Sequence, residues 1–564
     1  MSVEILPPTT AGIYPEKFGP ELFFAQNRTV TVIVLVLFIV IGFALRVNQL
    51  GWESLSEDEL NKLQTVQDYR TNGLTGKNGE HPFLMKGLQT VSIIAAEKLN
   101  NYVLAPRFEI SDETALRFPV ALFGTFSTLL IFLLVRELFG RSIGLISAAL
   151  WAVEPMAIGF DRIAKEDSLA LFFFLLTNLF WIRGQTAAER GGSNWLNYAW
   201  ATAASFGALL ASKYYPFLFP IIGAYYAIFQ YIPGQKWGLG KKRWLKFMVI
   251  MFVAFLVLNP TIFLPETWRE ILIFSSERRI GHNSYEFFGN FYPNQVSYWL
   301  AGVPWTFYYV FIAVKTSLLT LGLFLGGLPI MFRRRLGDGR FFVFMWAFFW
   351  FMPFTFLGGK FTRYFAVAEP LVLIPAAVCS YYLMKWVSNK FVGNPVLVGA
   401  CQIILFAVVV AFPLYNSIEA APHFRLFTNA IGASLAPVGS YFPHDEFYDA
   451  STREIVARIG LHARPQAVVA CETPTLYEYY AHRSGRDDLT FISLSDRSKV
   501  DMLAVGDFVV AAAGRKYLSN TAYADYLENS SMPVVETRIT GITSADVYQL
   551  DARTVAGLHA IATQ

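Results

Sequence analysis

Residues 29–47 read TVTVIVLVLFIVIGFALRV, nineteen positions whose one charge, Arg46, stands near the far end. A helix needs about 20 mostly apolar residues to cross the hydrocarbon layer, and this run has that length. It is too long for the core of a signal peptide. It also ends around Arg46 and Asn48 rather than at a small-residue cleavage site, so it reads as an uncleaved first span.

Runs of the same kind recur along the chain. Spans are expected near 29–48, 117–137, 142–159, 167–183, 198–212, 214–232, 246–264, 307–331, 341–357, 364–386 and 395–415. Over all 564 residues the chain is 54% hydrophobic and 16% charged, more apolar surface than soluble cores bury, so lipid must cover the remainder. The expected fold is a polytopic α-helical membrane protein of about eleven transmembrane helices, followed by a soluble α/β domain.

Lys and Arg collect in alternate turns: Arg136 with Arg141, Arg183 with Arg190, 236–246, Arg333 to Arg335 with Arg340, and Lys385 with Lys390. Cytoplasmic loops hold the excess of such residues, so the N-terminal stretch 1–28 is expected in the cytoplasm. The first loop, 49–116, is then extracytoplasmic, as are 160–166, 265–306, 358–363 and everything after Tyr415. The expected location is the plasma (inner) membrane. Within the first loop, Leu55, Leu60, Leu63 and Val66 recur at helical spacing and predict an amphipathic helix along the membrane surface, and 83–99 predicts a second.

The expected membrane domain thus covers 29–415 and the soluble domain 416–564. In the tail, 467–471, 489–492, 508–513 and 545–550 read as strands, and 451–462 and 475–484 as helices. Cys379 and Cys401 lie in apolar runs and Cys471 stands alone, which excludes a disulfide framework. A formal charge of +4, with no basic block interleaved with aromatics, argues against nucleic acid as a partner.

Ionisable residues at membrane depth are costly and usually mark function. Here they gather at one set of span ends: Glu57-Asp58-Glu59, Glu80-His81 with Lys86, Asp161-Arg162, Lys165-Glu166-Asp167, Lys213, Arg278-Arg279 with His282, and Lys360 with Arg363. Carboxylates mixed with cations suit transfer from an anionic lipid-borne donor, a carboxylate taking the acceptor proton and cations stabilising the departing phosphate. Each position also has a plainer reading. Acids at 57–59 favour a helix N-terminus, Arg162 and Asp167 could pair structurally, Arg278-Arg279 could be a solvated run, and Lys213 could snorkel. The segment Ser440 to Asp449 reads as a domain-entry loop, or as a cap over the cleft.

Three places carry a family resemblance. Asp58-Glu59 is followed by His81-Pro82-Phe83-Leu84-Met85-Lys86; Arg162 is followed by Asp167 at the mouth of an apolar span; and Gly358-Gly359-Lys360-Phe361-Thr362-Arg363-Tyr364 forms a Lys-containing turn. Together these resemble the GT-C superfamily, specifically the protein O-mannosyltransferases and the bacterial phospholipid-carrier-dependent glycosyltransferases that include aminoarabinose transferases. The second Pro and the Gly of that family's His-Pro-Pro-Leu-Gly-Lys segment are Phe83 and Met85 here. The resemblance implies Asp58 as catalytic base and Glu59 as an orienting or binding residue. It places Glu80 and His81 at the acceptor or sugar site, and Arg162, Lys213, Lys360 and Arg363 near the carrier phosphate. Lys86, Asp167, Arg278, Arg279 and His282 complete the expected substrate-binding set.

The expected activity is transfer of a sugar from a polyprenyl-phosphate donor to a hydroxyl on a protein, lipid or glycan acceptor. One Asp-Glu pair and one Glu-His pair are too few ligands to assign a metal site, and no cofactor is assigned, although some GT-C enzymes need a divalent metal and that need stays open. A lipid-carrier transporter or flippase and a non-catalytic membrane scaffold are the alternatives. Transporters place their binding groups near the bilayer midplane on broken helices, often in paired halves.

Overall fold

The computed structural model describes residues 21–103, 108–214, 238–277, 284–295, 297–391 and 393–563. Six helices are long and apolar enough to cross a membrane: Arg28–Val47, Asp112–Phe139, Asp167–Glu189, Gly339–Phe356, Pro370–Phe391 and Pro395–Ala420. The chain is an integral membrane protein, mostly helical, with a five-stranded sheet in its C-terminal region. The first span starts where Asn27 accepts the Thr29 N–H at 2.8 Å, a side-chain cap for a backbone donor with no partner inside the helix. The expected span 214–232 lies outside the described residues.

Two expected spans are each two helices. The run 142–159 divides into Arg141–Val153 and Pro155–Phe160, because Pro155 has no N–H to continue the ladder. The run 307–331 divides into Phe307–Lys315 and Leu318–Met331. Glu154, at the first break, accepts the Ser317 N–H at 2.7 Å and the Thr320 hydroxyl at 3.0 Å, capping the helix that begins at the second. The expected span 364–386 starts late, since Thr362–Val367 forms a 3-10 turn before the helix resumes at Pro370.

The first-loop helix spans Glu57–Asn72 and does not lie free along a lipid surface. Leu55, Leu60, Leu63 and Val66 share one apolar core with Ile455, Val456, Val469 and Phe508 of the C-terminal region, so protein covers the face that was expected to meet lipid. That region is built on strands β3 (Val468–Cys471), β4 (Thr490–Ser493), β5 (Phe508–Ala512), β6 (Val535–Ile539) and β7 (Ile542–Gln549), ordered β4-β3-β5-β7-β6. β3 runs parallel to β4 and β5, while β7 runs antiparallel to β5 and β6. Earlier in the chain, β1 (Ser284–Phe287) and β2 (Asn290–Pro293) form a small hairpin. It packs Phe287 against Phe307 and Phe442, tying a loop between spans to the base of the C-terminal region.

Candidate active site

Ser56 starts the first-loop helix through a capping box: its hydroxyl accepts the Glu59 N–H, and the Glu59 carboxylate accepts the Ser56 N–H at 2.9 Å. This fixes the directions of the next two side chains. Glu59 is buried and gripped at both oxygens by Arg117, with Nε at 2.8 Å and Nη2 at 2.7 Å, and it also accepts the Ala164 N–H at 2.8 Å. Four hydrogen bonds occupy the carboxylate, which fixes the helix start and with it the neighbour one residue earlier.

That neighbour is Asp58. Its side chain is 40% exposed, against 6% for Lys165 and 12% for Arg363, so solvent can reach it. Lys165 Nζ lies 2.5 Å from Asp58 Oδ2, the Tyr448 hydroxyl donates to the same oxygen at 2.9 Å, and Arg363 Nη2 stands 3.9 Å away. Protein packed around its covered side opposes the charge on Asp58, but Lys165, then Arg363 and Lys62, outweigh it and hold the carboxyl well below its usual range. The surrounding cations therefore favour the ionised form of Asp58.

Around this pair lies a layer of buried ion pairs. Lys62, one helical turn after Asp58, meets Glu166 at 2.8 Å, and His81 Nδ1 stands 3.7 Å from the other oxygen of Glu166. Lys213 Nζ lies 2.5 Å from Asp167 and 5.0 Å from the centre of the Tyr364 ring. Arg363 stacks over Phe361 at 4.1 Å and reaches Asp445 at 3.6 Å. Lys165 is brought down to about 8 by burial, with Asp58 opposing the shift. Its charge therefore titrates just above neutrality.

The structure brings Asp58, Glu59, His81, Asp167, Lys213 and Arg363 into this one network. Glu80 and Lys86 form its rim. Asn78 donates to Glu80 at 2.6 Å, Lys86 donates to the Asn78 carbonyl at 2.6 Å, burial pushes Glu80 up, and burial pulls Lys86 down to about 8. Two expected phosphate ligands are occupied by backbone instead. Arg162 donates to the carbonyls of Leu45, Arg46, Asn48 and Gln49, closing the end of the first span. Lys360 donates to the carbonyls of Val303 and Leu357, closing the end of Gly339–Phe356. Arg278, Arg279 and His282 lie outside the described residues.

Sequence reading placed Lys165 and Glu166 in the charged cluster, and Asp445 and Tyr448 in a segment read as an entry loop or a cap, without giving any of them a role, and it left Lys62 out. The signal that could have found Lys62 is its position four residues after Asp58 on one helix face. Among the described residues, no group of three His, Cys, Asp or Glu side chains forms a metal-ligand set.

The family model of dolichyl-phosphate-mannose-protein mannosyltransferases matches residues 99–260. The matched segment holds Arg117, Lys165, Glu166, Asp167 and Lys213. It covers Arg162 to Asp167, one of the three places that carry the GT-C resemblance, while Asp58-Glu59, His81 to Lys86 and Gly358 to Tyr364 lie outside the matched residues. Among solved structures, ArnT from Cupriavidus metallidurans bound to undecaprenyl phosphate is similar over 94% of this chain and 99% of its own, at 16% identity and a TM-score of 0.47. The apo oligosaccharyltransferase of Archaeoglobus fulgidus is similar over 86% of this chain and 70% of its own, at 11% identity and a TM-score of 0.49. The donor-bound protein O-mannosyltransferase complex of S. cerevisiae is similar over 44% of this chain and 34% of its own, at 18% identity and a TM-score of 0.33. No curated protein matches the chain in sequence.

Proposed function

We propose that the chain transfers a sugar from a polyprenyl-phosphate carrier to an acceptor hydroxyl, with Asp58 as general base. The observation that supports this most directly is the placement of one reachable, ionised carboxylate against Lys165 and Arg363, with Lys62 and Lys213 a side chain further out. In the proposed step the acceptor O–H bond breaks and its proton passes to Asp58. The freed oxygen bonds to the anomeric carbon, and the bond from that carbon to the phosphate oxygen breaks. The electron pair leaves with the phosphate, whose added charge the cations stabilise; Arg363 offers a planar fork and Lys165 and Lys213 point charges. A phosphate of low basicity needs this electrostatic help more than a proton.

In this reading Glu59 orients Asp58, and Glu80 and His81 line the sugar or acceptor side. The cluster faces the extracytoplasmic side of the plasma membrane, as the Lys and Arg distribution suggests. The divided helices at 153–155 and 315–318, joined by Glu154, favour a second reading, a carrier-lipid transporter, because transporters use discontinuous helices around buried charges.

One experiment separates the two. Purified protein in liposomes is given a panel of radiolabelled polyprenyl-phosphate sugars and hydroxyl acceptors, with Asp58→Asn as control. Label moving to an acceptor only with the unmodified protein supports the transferase; carrier crossing the bilayer with no label transferred under any donor supports the transporter.

A further inference from the structure

The two oxygens of Asp58 are not equivalent. The closest approaches of Lys165, Tyr448 and Arg363 all fall on Oδ2, and among the described residues no hydrogen bond is made to Oδ1. Tyr448 itself is held from several sides. It lies at the left-handed conformation φ 45°, ψ 48° that ends the short helix Pro443–Phe447, and Asp449 follows at φ 61°. Arg425 stands 5.5 Å and Arg363 5.9 Å from its ring centre, and His444 meets the ring edge-on at 6.2 Å. The flanking backbone docks on the start of the Asp58 helix: the Ser54 N–H donates to the Ala450 carbonyl at 3.0 Å, and the Glu57 N–H to Asp449 at 3.2 Å. A bulky residue at positive φ is uncommon and persists where its surroundings over-determine it.

We propose that Tyr448 is a positioning residue: its hydroxyl ties Oδ2 of Asp58 and thereby leaves Oδ1 as the atom that accepts the proton. The proposal rests on the transferase reading for its chemistry, but the geometry it describes stands without it. The charged and titratable groups facing Asp58 are Lys62 on its own helix, Lys165 and His81 from two loops, Arg363 and Tyr364 from the turn after Gly339–Phe356, and Tyr448. Lys165 and Arg363 also neutralise the carboxylate, but among the described residues Tyr448 alone adds a neutral side-chain donor, which orients without adding charge. Burial, then the charge of Asp58, pushes its phenol well above the usual range, so it stays protonated and donates.

The test is carbodiimide labelling of Asp58 in the purified full-length protein, read by peptide mass spectrometry at a fixed, mildly acidic pH. Only the protonated carboxyl reacts, so the rate follows its protonated fraction. Tyr448→Phe removes one donor to the carboxylate, and the labelling rate is expected to rise about tenfold, the equivalent of one pKa unit. Asp449→Asn loosens the adjoining docking contact without touching Asp58; it is expected to lower the unfolding temperature and leave the labelling rate within about twofold. Unchanged labelling in Tyr448→Phe overturns the proposal, and so does an equal rise in Asp449→Asn, which would reduce Tyr448 to general packing. In the transfer assay Tyr448→Phe is expected to lower kcat about tenfold with the donor KM unchanged. A labelling change with no transfer from any donor would refute the transferase and leave the positioning role intact.

Discussion

Arg117 and Glu59 form a two-point pair, Nε to Oε1 at 2.8 Å and Nη2 to Oε2 at 2.7 Å, between the first-loop helix and the span Asp112–Phe139. The remaining N–H groups of the guanidinium go to the carbonyls of Leu50, Glu53 and Ser54. One arginine thus sets the angle at which the helix bearing Asp58 leaves the membrane bundle.

Glu59→Gln leaves that buried cation without its counter-charge, and the expected loss is about 3–5 kcal/mol of stability, read as a lower unfolding temperature in detergent. Burial opposes the charge on Glu59, but Arg117 outweighs it and keeps the folded-state pKa below the unfolded value. The pair therefore stabilises fully above the unfolded carboxylate pKa, and its contribution is lost as pH falls through the folded value. Acid unfolding of the Gln variant is expected to lack that component.

Asp58→Asn keeps the shape and removes the base. Turnover is expected to fall by about 10²–10⁴, with binding of polyprenyl phosphate preserved. Full turnover in the Asn variant would remove Asp58 from the chemistry.

Lys165 contributes an alkaline limit. With its ammonium brought down to about 8, the charge beside Asp58 disappears as pH rises through that value, and kcat/KM for the donor is expected to fall there. Lys165→Arg keeps the charge through that range and is expected to move the limb upward; a pH profile of both proteins checks this.

Arg363 and Arg162 should behave in opposite ways. Arg363→Gln removes a fork from the open side of the cluster, and the donor KM is expected to rise about tenfold or more. Arg162→Ala frees four backbone carbonyls at a span end, so it is expected to lower the unfolding temperature and leave the donor KM unchanged.

What could be read from sequence was what depends on neighbours in the chain. Residues 29–47 gave a span because length and apolarity suffice to define one. Asp58 and Glu59 drew notice through the family resemblance, and Lys213 through the charges gathered at one set of span ends. The division of 307–331 was hidden because its cap, Glu154, lies 163 residues from Ser317. That Arg162 closes the end of the first span was hidden because its four carbonyl partners, some 115 residues earlier, leave no trace in local spacing. Tyr448 sits in a segment that had two readings, an entry loop or a cap, and nothing nearby in the chain chose between them.

The 390 residues between Asp58 and Tyr448 also set an order in time. A ribosome adding about 5–20 residues per second needs roughly 20–80 s to pass from one to the other. During that interval the first-loop helix is already made, while Tyr448 and Asp449 do not yet exist. A nascent chain therefore carries its carboxylate unfinished, and the centre around Asp58 is assembled only once the last quarter of the polypeptide has emerged and folded back onto the first.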